Sequence, residues 1–293
     1  MRKEYLPAAV TAALGAAGAV LRKTEIDRVL AADSGLPVKG HPVSIALIVL
    51  SLAAVAYAVI CSKSFARRGA EKLAFTQAYR EGSRVFSYVT MAAGMLVMAS
   101  ALLMGPDMGL APGGLAFLVF RLFAACMGAS FIAVALAQAK RRDIPALYIA
   151  GIVPAMFFCM CLAVYYKHNA GNPSLGGYMY GIVSFSANAV AGYYAAGFIY
   201  DRARPRAALA SNLTALFFAI VLLAEGWSTS MLLIMASVAV FLAVNAVRLC
   251  RGLASAEGPQ AAEEGKNEGS GGEEGIPSDD AQTSPENDGG GKN

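Results

Sequence analysis

Eight long apolar runs, at 5–21, 43–61, 85–104, 115–138, 144–166, 177–200, 207–224 and 230–247, are separated by stretches rich in glycine, proline and charge. An α-helix needs about 17 to 25 apolar residues to cross a hydrocarbon layer of about 30 Å, and the runs have that length. Their apolar positions are continuous instead of alternating, which favours a helical bundle over a membrane barrel. The fold expected is all-α: a polytopic transmembrane bundle of about eight spans over 1–252, then a disordered acidic tail over 253–293.

The first run is rich in alanine and glycine and follows a short basic start, Arg2-Lys3. A secretory signal peptide has the same features; a retained first helix is the preferred reading. Its small residues, Gly15 to Ala19, suit close approach of a neighbouring helix. Arg22-Lys23 closes the run, and 22–42 reads as a polar loop punctuated by glycine and proline.

Composition agrees with this pattern: 57% of residues are hydrophobic, 15% are charged and the mean hydropathy is +0.52, values outside the soluble globular class. Charge then orients the chain. Sixteen Lys or Arg residues lie in the terminal segments and in the loops on their side, against five in the alternate loops. The excess of basic loops predicts that both termini face the cytoplasm of a plasma membrane.

Residues 1–252 carry 22 Lys or Arg against 10 Asp or Glu, a formal +12, whereas 253–293 carry 2 against 10, a formal −8. The basic charges sit in short loops beside spans, which implies anionic lipid headgroups as the partner at the cytoplasmic face, not nucleic acid. No pattern identifies a protein partner. The loop 62–84 mixes cations with Phe65, Leu73, Phe75 and Tyr79; a helix lying on the membrane surface and a solvated basic loop both fit it. The tail has almost no large apolar residue to offset its ordering entropy.

Two outer loops, Gly35-Leu-Pro-Val-Lys-Gly-His-Pro42 and Tyr165-Tyr-Lys-His-Asn-Ala-Gly-Asn-Pro173, carry a resemblance. With the order of spans, they resemble a family of uncharacterised multi-spanning membrane proteins of clostridial-type Gram-positive bacteria. The resemblance implies a bacterial polytopic protein and no particular activity.

Candidate chemistry is sparse. Arg121 lies about a third of the way into the fourth run, and a charge at such a depth marks a functional candidate by default. Glu225 ends the seventh run on the same outer side, so an Arg121–Glu225 ion pair is one expectation; Asp107 is a rival partner, and an arginine that snorkels to the headgroups is the alternative. In the sixth run Gly177, Gly181, Ser184, Asn188, Gly192 and Ala196 recur at steps of three or four, a stripe that reads first as close packing and second as the lining of a polar cavity. Arg121, Glu225, Asn188 and Ser184 are therefore the candidate solute-binding residues.

No metal or cofactor is implied, because His41 and His168 stand apart in outer loops without ligand spacing. No nucleophile elbow, phosphate loop or paired intramembrane carboxylates point to an enzyme. The five cysteines read as free thiols, Asn212-Leu-Thr214 as a fortuitous glycosylation pattern at a cytoplasmic helix end, and Trp227 as an interfacial anchor. The expectation is a non-enzymatic membrane protein that binds or moves a small polar or anionic solute; the alternative is an accessory or sensory protein acting through its tail.

Overall fold

The structure, a computed structural model, describes residues 3–29, 41–65, 84–105, 114–140, 146–171, 175–200 and 202–267. Among these residues eight helices are long and apolar enough to cross a membrane. They are α1 (Leu6–Arg28), α2 (Pro42–Phe65), α3 (Arg84–Leu103), α4 (Leu115–Lys140), α5 (Ala146–Asn169), α6 (Leu175–Ile199), α7 (Pro205–Leu222) and α8 (Thr229–Asn267). The expected loop segments 66–83 and 30–40, Asp107 and the last part of the tail, 268–293, lie outside the described residues.

Neighbour relations make α3 to α8 a closed ring in chain order, with α8 returning to α3; α1 and α2 pair with each other and pack on α7 from outside. The helix α7 thus touches α1, α2, α6 and α8. Burial follows the position: 17% of the apolar span of α2 is buried, against 61% for α7 and 67% for α8. Ile45, Ile48, Val49, Leu52 and Ile60 on α2 are exposed, as residues facing acyl chains should be.

Close crossings depend on missing side chains. In lipid no hydrophobic force pulls apolar helices together, so small residues that let backbones approach supply the packing energy. On α1, a Cβ at Gly18 would stand 2.8 Å from Val221 of α7, as the small-residue cluster predicts. Between α3 and α4 the approach is backbone to backbone: a Cβ on Gly94 would meet the Gly128 carbonyl at 2.7 Å, and one on Gly128 would meet the Gly94 carbonyl at 2.7 Å.

Two helix ends differ from expectation. The helix α1 does not stop at Leu21 but runs on to Arg28, because Arg22 finds carboxylates that make its burial tolerable. At the other end, α8 passes the expected boundary at 252 and continues to Asn267. The extension carries good helix formers, Ala and Glu, around Gly258-Pro259 and Gly265, so local propensity alone does not account for it. The start of the chain and the later turns of α8 meet at one end of the bundle, where Arg251 bonds the Tyr5 hydroxyl and pairs with Glu4 at 3.1 Å.

Candidate functional site

A cavity of about 50 Å³, measured as space open to the centre of a water molecule, lies inside the ring between α4, α5, α6, α7 and α8. One water needs roughly 10–15 Å³ on that measure, so the space holds several waters or one small solute. It extends from Gln138 and Leu249, towards the end where Arg251 meets Tyr5, to Asn188 and Phe158 near mid-bundle. Phe131 and Phe241 stack with centroids 3.9 Å apart along one wall.

The wall is apolar except for five side chains, Ser130, Gln138, Asn188, Asn212 and Asn245, and no described lining residue is charged. Proline explains the serine. Pro154 inside α5 cannot donate to the carbonyl four residues earlier, and the Ser130 hydroxyl of α4 donates to that carbonyl, Ala150 O. Such rescue by a neighbouring hydroxyl is how membrane helices accommodate proline.

The amides are held on one side and free on the other. Asn188 Nδ2 donates to Ser184 O at 2.8 Å, and Asn212 Nδ2 donates to Leu242 O at 3.2 Å. Gln138 Oε1 accepts from Arg248, which also donates to Ser87 Oγ at 2.9 Å. The atoms left without a protein partner are Asn188 Oδ1, Asn245 Oδ1 and Gln138 Nε2. Asn188 is 2% exposed, Asn245 5% and Gln138 is half-buried, so two acceptors and one donor are presented to the cavity.

The second charged feature lies at the opposite end. Arg22 Nη1 donates to Glu25 at 2.8 Å, and Nη2 donates both to Glu225 at 3.0 Å and to the Gly177 carbonyl at 2.9 Å. The guanidinium lies 4.8 Å from the Tyr180 ring centroid, and the Arg22, Glu25 and Glu225 side chains are 1%, 8% and 9% exposed. Burial pushes the Glu225 carboxyl above the usual carboxylate range; the neighbouring Arg22 and the Tyr165 hydroxyl pull it back. Between triad and cavity stand four rings: Trp227 is 5.3 Å from Tyr165, Tyr165 is 5.5 Å from Phe185, and Phe185 is 6.5 Å from the cavity-lining Phe158.

The four expected site residues are therefore spread over three places. Asn188 lines the cavity; Ser184 lies one turn away and serves as its acceptor. Glu225 belongs to the triad. The expected Arg121–Glu225 pair does not form: Glu225 takes Arg22, while half-buried Arg121 donates to the Leu102 carbonyl, one of the last carbonyls of α3, which lack intrahelical partners. Trp227, half-buried in the turn after α7, packs on Tyr165 and Phe185. Of the small-residue stripe, a Cβ on Gly192 would stand 2.9 Å from the Ala155 nitrogen and one on Gly181 would run into the Tyr165 ring, so packing and cavity lining share one helix face. Cys159 is exposed and Cys161 buried, and the five described cysteines are free thiols.

Because Arg121 bonds only at the periphery, Arg121→Ala is expected to lower stability by less than about 1 kcal/mol, the scale of exposed polar contacts. Thermal unfolding in detergent measures this. An Arg121→Glu, Glu225→Arg reversal should show no mutual rescue in the same assay.

Comparison with protein-family models, curated proteins and solved structures returns no significant match.

Proposed function

We propose that this multi-pass membrane protein binds, and passes across the bilayer, a small uncharged polar solute in the cavity enclosed by α4 to α8. The observation that supports this reading is the set of amide atoms without a partner among the described residues, Asn188 Oδ1, Asn245 Oδ1 and Gln138 Nε2, around one cavity. An unsatisfied polar group deep in a bundle costs several kcal/mol in a hydrocarbon setting.

The chemistry also favours a neutral solute over an anion. No described residue lining the cavity is cationic, and an anion entering without a counter-charge would lose its hydration for two repelling carbonyl oxygens. Two acceptors and a donor instead suit an amide, a urea or a polyol, which donates and accepts. The basic-loop orientation would place the Gln138 level of the cavity towards the cytoplasm.

Proteoliposomes shrunk by osmotic shock give the test, with re-swelling followed by light scattering for urea, acetamide and glycerol. Wild-type vesicles should re-swell faster than empty ones for at least one of these. Each neutral hydrogen bond contributes about 1 kcal/mol, so Asn188→Leu with Asn245→Leu should cut the rate about tenfold or more. Wild-type vesicles no faster than empty ones for all three solutes, or a double variant as fast as wild type, would refute the reading.

A further inference from the structure

We propose that Arg22, Glu25 and Glu225 form a proton-binding site, and that loss of its proton releases the aromatic plug closing the cavity at that end. No particular solute need be specified for this. One guanidinium is bonded by two carboxylates, all three side chains less than a tenth exposed. With both carboxylates ionised, these three groups sum to −1 in a site removed from water. Burying one uncompensated charge is far more costly than burying a matched pair.

A proton removes the excess. The proton is placed on Glu225, in the turn between α7 and α8, leaving the Arg22 guanidinium bonded to Glu25 three residues along the same helix. Each described element around Glu225 contributes a named group. The helix α1 presents Arg22 and Glu25, α5 presents the Tyr165 hydroxyl, and α6 presents the Gly177 carbonyl and the Tyr180 ring through Arg22. The raised affinity of the Glu225 carboxyl for its proton has burial as its largest cause, with Glu25 adding to it.

Linkage sets the sign. A carboxyl that holds its proton more tightly when buried than when wet makes protonation favour the closed, buried arrangement. As pH rises, Glu225 gives its proton to water, and the negative charge left behind is stabilised by moving out to solvent. Tyr165 and Trp227 are attached to that movement: Tyr165 reaches Glu225, and Trp227 lies two residues along the same turn and 5.3 Å from the Tyr165 ring. Those two rings and Phe185 form a contacting row between Glu225 and Phe158, the cavity-lining ring at this end.

Trp227 is the only tryptophan in the chain, so its fluorescence reports on the plug directly. The full chain in phosphatidylcholine nanodiscs is titrated from about pH 4 to about pH 9, upward from the ordinary carboxylate range, with emission and acrylamide quenching recorded. The expected result is a single transition to longer wavelength and stronger quenching as pH rises. Glu225→Gln and Glu25→Gln each remove the excess carboxylate, so each should hold the blue-shifted, weakly quenched state throughout. Asn188→Leu, which alters the cavity alone, should titrate as wild type does. A wild-type signal flat across the range, or a transition persisting in both glutamine variants, would overturn the proposal. A flat solute flux with a normal titration would sink only the solute reading.

Discussion

Replacing Arg22 with leucine is expected to destabilise the folded chain by about 3–5 kcal/mol, the cost of removing one member of a buried ion pair. The magnitude comes from what remains, not from what is lost. Glu25 and Glu225 would be left facing each other at a site where the arginine side chain is 1% exposed, and the Gly177 carbonyl would lose its donor. Part of the penalty would be relieved by protonating Glu225, whose carboxyl burial already raises, so the loss should be larger at pH 8 than at pH 5, by linkage. Replacing all three residues by leucine should restore much of the stability, because a well-packed apolar cluster often equals or exceeds a buried ion network. Thermal unfolding of the single and triple variants in one detergent, at both pH values, checks this. A single variant within about 1 kcal/mol of wild type, the value typical of an exposed pair, would mean that the triad is wet and that the plug has no ionic latch.

The triad also marks where sequence reasoning stops. All eight spans are legible because bilayer thickness imposes a length that local composition reveals. Arg22, by contrast, follows the first apolar run and precedes polar residues, so it reads as the start of a loop. Nothing local indicates that a carboxylate 203 residues away will meet it. Arg121 stands out for the opposite reason: its depth is counted along its own helix, whereas its comfort depends on the end of α3, where the Leu102 carbonyl is within its reach. Intramembrane charge is thus a sound alarm and a poor guide to partners.

The cavity is half legible. Asn188 stands out on a small-residue stripe, yet Asn212 is conspicuous only for a glycosylation pattern, and Gln138, Ser130 and Asn245 raise no signal. Each is one of a few polar residues scattered through an apolar run, and an amide or hydroxyl there can bond its own helix, as Ser51 does to the Leu47 carbonyl and Thr90 to that of Phe86. Only the ring closure, which sets α4 to α8 around a common centre, shows which of these side chains face each other. Pro154 is the one local clue: a proline within a span requires a compensating donor, and the search for one leads to Ser130 and the cavity wall.

Gly128→Leu should be the second most damaging single change, and Gly128→Ala the more informative one. In a helix interior alanine is favoured over glycine by about 1 kcal/mol, so propensity alone predicts a gain. Packing predicts a loss. The added Cβ would stand 2.6 Å from Met98 Cγ, 2.7 Å from the Gly94 carbonyl oxygen and 2.9 Å from the Met98 backbone nitrogen. The methionine tip can move, but the two backbone atoms can move only if α3 and α4 separate. Separation would forfeit dispersion contacts along the crossing, which no hydrophobic force replaces in lipid. It would also shift α3 against α8, where Ser87 accepts from Arg248. Overpacking typically costs about 1–3 kcal/mol, enough to outweigh the propensity gain for alanine and more for leucine. Ala129→Leu, on the exposed face one residue along, is the control and should be near neutral. If Gly128→Ala instead raises the unfolding temperature, helix propensity governs this crossing, and the backbone contact between α3 and α4 is not what holds them together.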